Sequence, residues 1–245
     1  LIADLEARSG HATGWRQVGY IQPADTEERV EECRRAAVFM NRMGIEVHEI
    51  SPAEAAKMFP VGDFSTTLAA YWFPHEGRVN PVDMTMALAR GARGHGTRIL
   101  QDTRVEQILT AHGRAVGVRT DQGDIAAEHV VIAAGMWSRQ IGAAAGINLP
   151  LQAAEHYYLI TEAIEGVHRD LPLLEDAHAW AYFREEVGGM MIGLFEPDAA
   201  PWSIDRIPDG FSFGEIEPDW DRVGPHLERA FARVPAAASA GIRKL

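Results

Sequence analysis

Val130-Val131-Ile132-Ala133-Ala134-Gly135-Met136-Trp137 is the stretch on which the fold turns. Its first five residues are apolar without alternation, the pattern of a strand buried on both faces. Gly135 stops the run, and Trp137 to Ala145 reads as a helix. Strand, glycine and helix make the repeating unit of an α/β sheet, where ligands sit beyond the carboxyl ends of the strands. Small residues at the strand end would let a ligand touch the backbone. By spacing alone, a tight turn with no ligand is the simpler description.

Upstream, Trp15 to Ile21 reads as a strand and Asp25 as the cap of a helix to about Met43, ended by Gly44. Ser51-Pro52-Ala53-Glu54 is a capping box that starts a brief helix dying at Pro60. Thr67 to Phe73 is a strand. Asn80-Pro81-Val82-Asp83 starts a helix to about Arg93. Arg104 to Thr110 and Ala115 to Thr120 are extended segments joined by the turn His112-Gly113.

Beyond Pro150 the texture changes to long alternating strands, Gln152 to Thr161, Ala177 to Arg184 and Met190 to Phe195, followed by a helix over Asp219 to Ala232. In the first strand Ala154, His156, Tyr158 and Ile160 share a face. In the second, His178, Trp180, Tyr182 and Arg184 share one, and Ala179, Ala181 and Phe183 take the other. A face carrying His, Trp, Tyr and Arg suits either the wall of a partly apolar cavity or a solvent-facing sheet with aromatic pairs. A cationic Arg with aromatic rings can hold a small zwitterion. The fold class is therefore α/β (α+β). A mixed unit near residues 78–148 is interleaved with an antiparallel sheet from 15–77 and 150–215, and the helix of 216–245 returns toward the first unit.

Composition narrows the function. At 47% apolar and 24% charged, the chain has enough core material to argue against disorder. Lys and Arg number 23 against 35 Asp and Glu, a net charge of −12, so nothing draws the chain to nucleic acid or an anionic membrane. The run Val130 to Trp137 is far short of the roughly 18–20 residues of a membrane span. One cysteine, Cys33, makes no intrachain disulfide, and it reads as a small apolar residue on the helix after Asp25. The pattern HExxH, CxxC pairs, EF-hand loops, GxSxG, Walker loops and GxGxxG are all missing, so no metal site or nucleophile elbow has a basis.

Longer motifs carry a resemblance. Val130 to Trp137 with Ser138-Arg139-Gln140-Ile141-Gly142 resembles a flavin-contact segment of FAD-dependent amine oxidases and dehydrogenases. Glu76-Gly77-Arg78-Val79-Asn80-Pro81 followed by Thr85-Met86-Ala87-Leu88-Ala89 is similar to a segment of the same group. Leu149-Pro150-Leu151-Gln152, His156-Tyr157-Tyr158 and Tyr182-Phe183-Arg184-Glu185 narrow it to the dimethylglycine/sarcosine dehydrogenase branch of the D-amino-acid-oxidase-like superfamily. The likeness spans nearly the whole chain in order.

That resemblance implies a split FAD-binding domain (here 78–148) and an antiparallel substrate domain (15–77 and 150–215). It implies oxidation of an N-methyl group of sarcosine or dimethylglycine with hydride transfer to FAD, the acceptor being oxygen or an electron-transfer protein. The matching cofactor contacts are Val105, Ala133, Ala134, Gly135 and Trp137. The matching catalytic residues are His156 and Tyr182, and Arg184 is the candidate for the substrate carboxylate. A His that titrates near neutrality can take the proton of a substrate ammonium, and a Tyr hydroxyl can hold a carboxylate. Other readings are a different amine oxidase of the superfamily and a binding module without cofactor. The family's GxGxxG unit, its upstream flavin-linking His, its later flavin loop and its tetrahydrofolate region have no match in these 245 residues. Starting at Leu1 without an initiator Met, the chain is expected to be a piece of a longer protein, and its composition fits either a bacterial cytoplasm or a mitochondrial matrix. The piece alone is expected to bind FAD weakly or not at all.

Overall fold

Local signals set most element starts in the computed structural model, which describes residues 1–203, 207, 211 and 214–245. A short helix, α1 (Ile2–Ser9), closes at Gly10 with φ 62°. After β1 (Tyr20–Ala24) comes α2 (Glu27–Arg42), then β2 (His48–Ile50) and α3 (Pro52–Met58). The capping box forms: Glu54 N–H donates to Ser51 Oγ at 3.2 Å, and Ser51 N–H donates to the Glu54 carboxylate at 2.8 Å. Next are β3 (Ala69–Phe73) and α4 (Pro81–Gly94), where Asn80 Oδ1 accepts from the N–H groups of Val82 and Asp83. Three strands follow, β4 (Val105–Ala111), β5 (Arg114–Thr120) and β6 (Gly123–Ala126). The first two join through His112 and Gly113, both with positive φ, as a tight hairpin requires. A 3-10 turn at Gly135–Trp137 leads into α5 (Ser138–Ala144). The rest is β7 (Tyr158–Thr161), β8 (Leu173–Asp176), β9 (Ala181–Glu186), β10 (Gly189–Leu194), α6 (Trp220–Arg233), α7 (Pro235–Ser239) and β11 (Ile242–Lys244).

Packing divides the chain into two units. One comprises Leu1–His95, His156–Pro197 and Glu217–Leu245; the other comprises Gly96–Glu155 and Asp198–Ile216. The larger unit holds an eight-stranded sheet in the order β11-β7-β10-β9-β8-β1-β3-β2. Every pair is antiparallel except β1 with β8. Over the β1–β3 end, α2 buries Val30 and Cys33 against Ala24, Val47, Ala69, Tyr71 and Phe73. The Tyr71 hydroxyl, inside that core, donates to Val30 O at 2.9 Å. Phe183, Met190, Ile192 and Leu159 are buried in the middle strands, and α6 packs on β10 through a face that buries Val223, Leu227 and Ala230. The smaller unit holds the meander β4-β5-β6, with α5 packed on β4.

Several expectations are corrected. Thr26, not Asp25, caps α2, its Oγ1 accepting from Arg29 N–H at 3.2 Å. The Asp25 carboxylate is engaged instead by Thr66, Thr67 and Arg233. The first strand starts at Tyr20 rather than Trp15; before it Arg16 makes only a single bridge to Arg78. Strand β7 starts at Tyr158, and within 152–157 Ala154 makes an isolated bridge to Pro201, the one such bridge there among the described residues. Alternation specifies extended backbone, but a strand also needs a neighbour to take its N–H and C=O groups. Residues 177–180 form a turn. The Asp176 carboxylate accepts from the N–H groups of His178 and Ala179 at 2.8 and 3.0 Å, and Trp180 then takes φ 51°. His178 and Trp180 therefore leave the face of Tyr182 and Arg184, and Trp180 packs on His226 and Arg229 of α6.

The largest correction concerns residues 130–134. They are not a doubly buried strand: no described strand pairs with them, and Val131 is 86% exposed. An apolar run without alternation marks a strand that needs neighbours on both sides and cover on both faces. Within the described residues neither is supplied.

Candidate active site

In the smaller unit, residues 130–134 run extended and turn at Gly135, whose φ of 54° falls in the left-handed region that favours glycine. Ser138 Oγ accepts from Ala134 N–H at 3.1 Å, and Trp137 N–H donates to Ala134 O, so the turn into α5 is held from both sides. Between this stretch and β4 lies a mainly apolar cavity of about 630 Å³. Val105, Ala133, Ala134 and Trp137 all line it, together with Ile108, Val118 and Ile141. Four of the five residues proposed for cofactor contact are thus brought together from segments about 30 residues apart in sequence. Gly135 shapes the adjoining turn and is not among the lining residues. The cavity fits part of a large planar cofactor: apolar walls for a ring, small alanines, and peptide groups not engaged in a strand ladder.

In the larger unit, alternation along β9 buries Ala181, Phe183 and Glu185 and leaves Tyr182, Arg184 and Glu186 half-exposed. Register carries this face across the sheet: Tyr182 and Tyr158 both stand opposite Gly193 of β10, and Arg184 stands opposite Met191. The Tyr182 ring lies over Gly193, so that an added Cβ there would sit 2.0 Å from the ring. Beyond the end of β10, Phe195 packs on Tyr182 with centroids 5.4 Å apart. Lys244 Nζ lies 5.9 Å from the Tyr158 centroid. The result is an aromatic wall with cations at its edges.

Arg184 is committed within this wall. It pairs with Glu186 at 2.8 Å, and its Nε lies 3.0 Å from Met191 Sδ. An incoming carboxylate would have to displace Glu186. His156, just before β7, is 55% exposed at its side chain, and its Nδ1 lies 3.4 Å from Oε2 of Glu196. Glu196 is buried.

Two residues here were missed on sequence, Gly193 and Glu196. Gly193 sits in a run that reads as plain strand. Glu196 follows Phe195 in a Phe-Glu-Pro stretch that reads as a strand end. Only the sheet register, which sets these positions beside Tyr182 and His156, distinguishes them. Among the described residues no group of three His, Cys, Asp or Glu side chains is placed to hold a metal, and no helix is long and apolar enough to cross a membrane.

Comparison with known proteins gives the class. The family model described as FAD dependent oxidoreductase matches residues 1–244, and the chain belongs to that family. Among relatives, the 4-methylaminobutanoate oxidase (formaldehyde-forming) of Paenarthrobacter nicotinovorans is 34% identical over 237 residues, 97% of this chain. Human mitochondrial sarcosine dehydrogenase is 31% identical over 245 residues, 98% of this chain. The chain spans only 29% and 26% of those two proteins. Among solved structures, L-proline dehydrogenase from P. horikoshii superposes with a TM-score of 0.82 at 25% identity, covering 99% of this chain and 62% of that one. The resemblance read from the motifs agrees with these relatives, as does the mixed α/β fold class.

Proposed function

We propose that the protein to which this chain belongs oxidises a small amino acid bearing a secondary or tertiary amine, of the sarcosine or dimethylglycine type, with FAD as the cofactor. The observation that carries the reading is the pairing of His156 with buried Glu196 at the rim of the Tyr158–Tyr182–Phe195 wall. The names of the relatives support the substrate class, since each denotes action on an N-methylated or cyclic secondary amino acid.

The domain roles follow as part of the proposal. Val105, Ala133, Ala134, Gly135 and Trp137 would hold part of the FAD, within the 78–148 stretch read as a cofactor domain. Bound FAD supplies a two-electron acceptor for the C–H bond next to the substrate nitrogen. The sheet of the larger unit would provide the substrate wall.

An ammonium has no lone pair to stabilise the carbon as its C–H bond breaks, so the amine must first be neutral. His156 takes that proton: the substrate N–H bond breaks and an Nε2–H bond forms. Its exposed ring is accessible to a substrate, and a base of this kind contributes roughly 10²–10⁴-fold to rate. Tyr182 orients the substrate through its ring and hydroxyl. Arg184 takes the carboxylate by exchanging it for Glu186.

The test is a panel of amines added without oxygen to the flavin-loaded full-length protein. Bleaching of the flavin by sarcosine, dimethylglycine, 4-methylaminobutanoate or L-proline is expected. Bleaching by glycine or other primary amines alone would overturn the substrate class. With the best substrate, His156→Gln should slow single-turnover reduction at least a hundredfold, and an unchanged rate would remove His156 from the mechanism.

A further inference from the structure

We propose that Glu196 is a positioning residue that fixes the tautomer of His156. The inference rests on the reading of His156 as the base. Glu196 lies two residues beyond the end of β10 with a side chain of 0% exposure, turned inward while the neighbouring Phe195 stays exposed. Its Oε2 lies 3.4 Å from His156 Nδ1. Its Oε1 has no hydrogen-bond partner among the described residues. No other side chain is hydrogen-bonded to this carboxylate among them.

A buried carboxylate without full hydrogen bonding is costly, and packing alone would be served as well by an apolar residue. What a carboxylate adds here is directional: it accepts a hydrogen bond from Nδ1–H. A neutral imidazole has one N–H and one lone pair. With the N–H held at Nδ1 by Glu196, the lone pair falls on Nε2, at the opposite side of a ring that is half-exposed. That is the arrangement a proton acceptor needs, and it is obtained before any substrate binds. The neighbouring strand supports it, since Leu194 N–H donates to Tyr157 O at 3.3 Å and so sets the β10 end beside the His156 backbone.

The experiment is nitrogen NMR of the full-length protein with ¹⁵N-histidine, with His156 assigned by the signals lost in His156→Gln. The neutral ring in the parent protein should show a protonated Nδ1 and an unprotonated Nε2. Glu196→Ala should release this preference, moving the Nδ1 signal toward the unprotonated position. Glu196→Gln retains an acceptor oxygen and should restore the parent pattern, which a loss of packing would not do. If Glu196→Ala fails to fold, the parent and Glu196→Gln spectra still decide: an Nε2–H tautomer in the parent overturns the proposal. An unchanged tautomer in folded Glu196→Ala also overturns it. Single-turnover flavin reduction by the best amine is read in parallel and should fall about tenfold or more in Glu196→Ala. A tautomer change with no change in that rate would keep Glu196 as the positioning group and remove the assigned role of His156.

Discussion

Tyr182 lies across Gly193, its ring occupying the space that a side chain at position 193 would fill, 2.0 Å from the ideal Cβ. The contact carries the ring from β9 over β10, on the side from which Tyr158 also faces Gly193. Gly193→Ala must therefore push the ring away. Tyr182 is half-exposed and can swing outward, so the stability cost should stay near the lower end of the roughly 1–3 kcal/mol of overpacking. Flavin reduction by substrate should slow in the full-length variant about as much as in Tyr182→Ala. Equal rates for Gly193→Ala and parent would show that the ring position is immaterial.

Arg233 joins three parts of the larger unit. It is 5% exposed, with Nε 2.6 Å from Asp176 and one terminal nitrogen 2.6 Å from Asp25. The other terminal nitrogen donates to Thr67 Oγ1 at 3.1 Å and to Asp63 O. Removing it strands the buried Asp176 carboxylate and takes a cation from the partly buried Asp25. Arg233→Ala should destabilise the fold by about 3–5 kcal/mol, measured by urea unfolding. A loss under about 1 kcal/mol would contradict this account.

Glu185 predicts an acid-sensitive contribution. Burial alone would raise its pKa, but the Gly188 N–H and the Arg78 guanidinium together hold it below the ordinary 4.5. Depression of a carboxylate pKa in the fold means the stabilisation is present above 4.5 and fades as pH falls through the lower folded value. The stability gap between parent and Glu185→Gln should thus be wide at pH 7 and shrink below about pH 4.5. Denaturant midpoints across that range measure it, and a pH-independent gap would refute the assignment.

The cavity beside Ala133 gives a prediction for cofactor binding. Ala133→Phe fills part of the 630 Å³ between the 130–134 stretch and β4. At roughly 1–3 kcal/mol for overpacking, FAD affinity of the full-length protein should fall about tenfold or more, while the melting of the flavin-free protein stays near the parent value. Flavin retained after gel filtration reads the first quantity. Full retention would place the cofactor elsewhere.

Much of the local structure was legible in the residues. The Ser51–Glu54 box, the Asn80 cap, the His112-Gly113 hairpin and the two faces of β9 depend on neighbours within a few positions, and these all form. The mixed α/β class and the family could be read for the same reason, since motifs in order along the chain survive without knowledge of contacts.

Tertiary structure decided the rest. Sequence marks 130–134 as apolar, but burial depends on which chains lie alongside, and Val131 stands open because no described strand does. Alternation places Trp180 with Tyr182, yet the Asp176 turn rotates it onto α6. Glu196 and Gly193 carry no signature of their own. They acquire meaning only from antiparallel register, which sets residues some 40 positions apart side by side and gives a buried carboxylate its histidine.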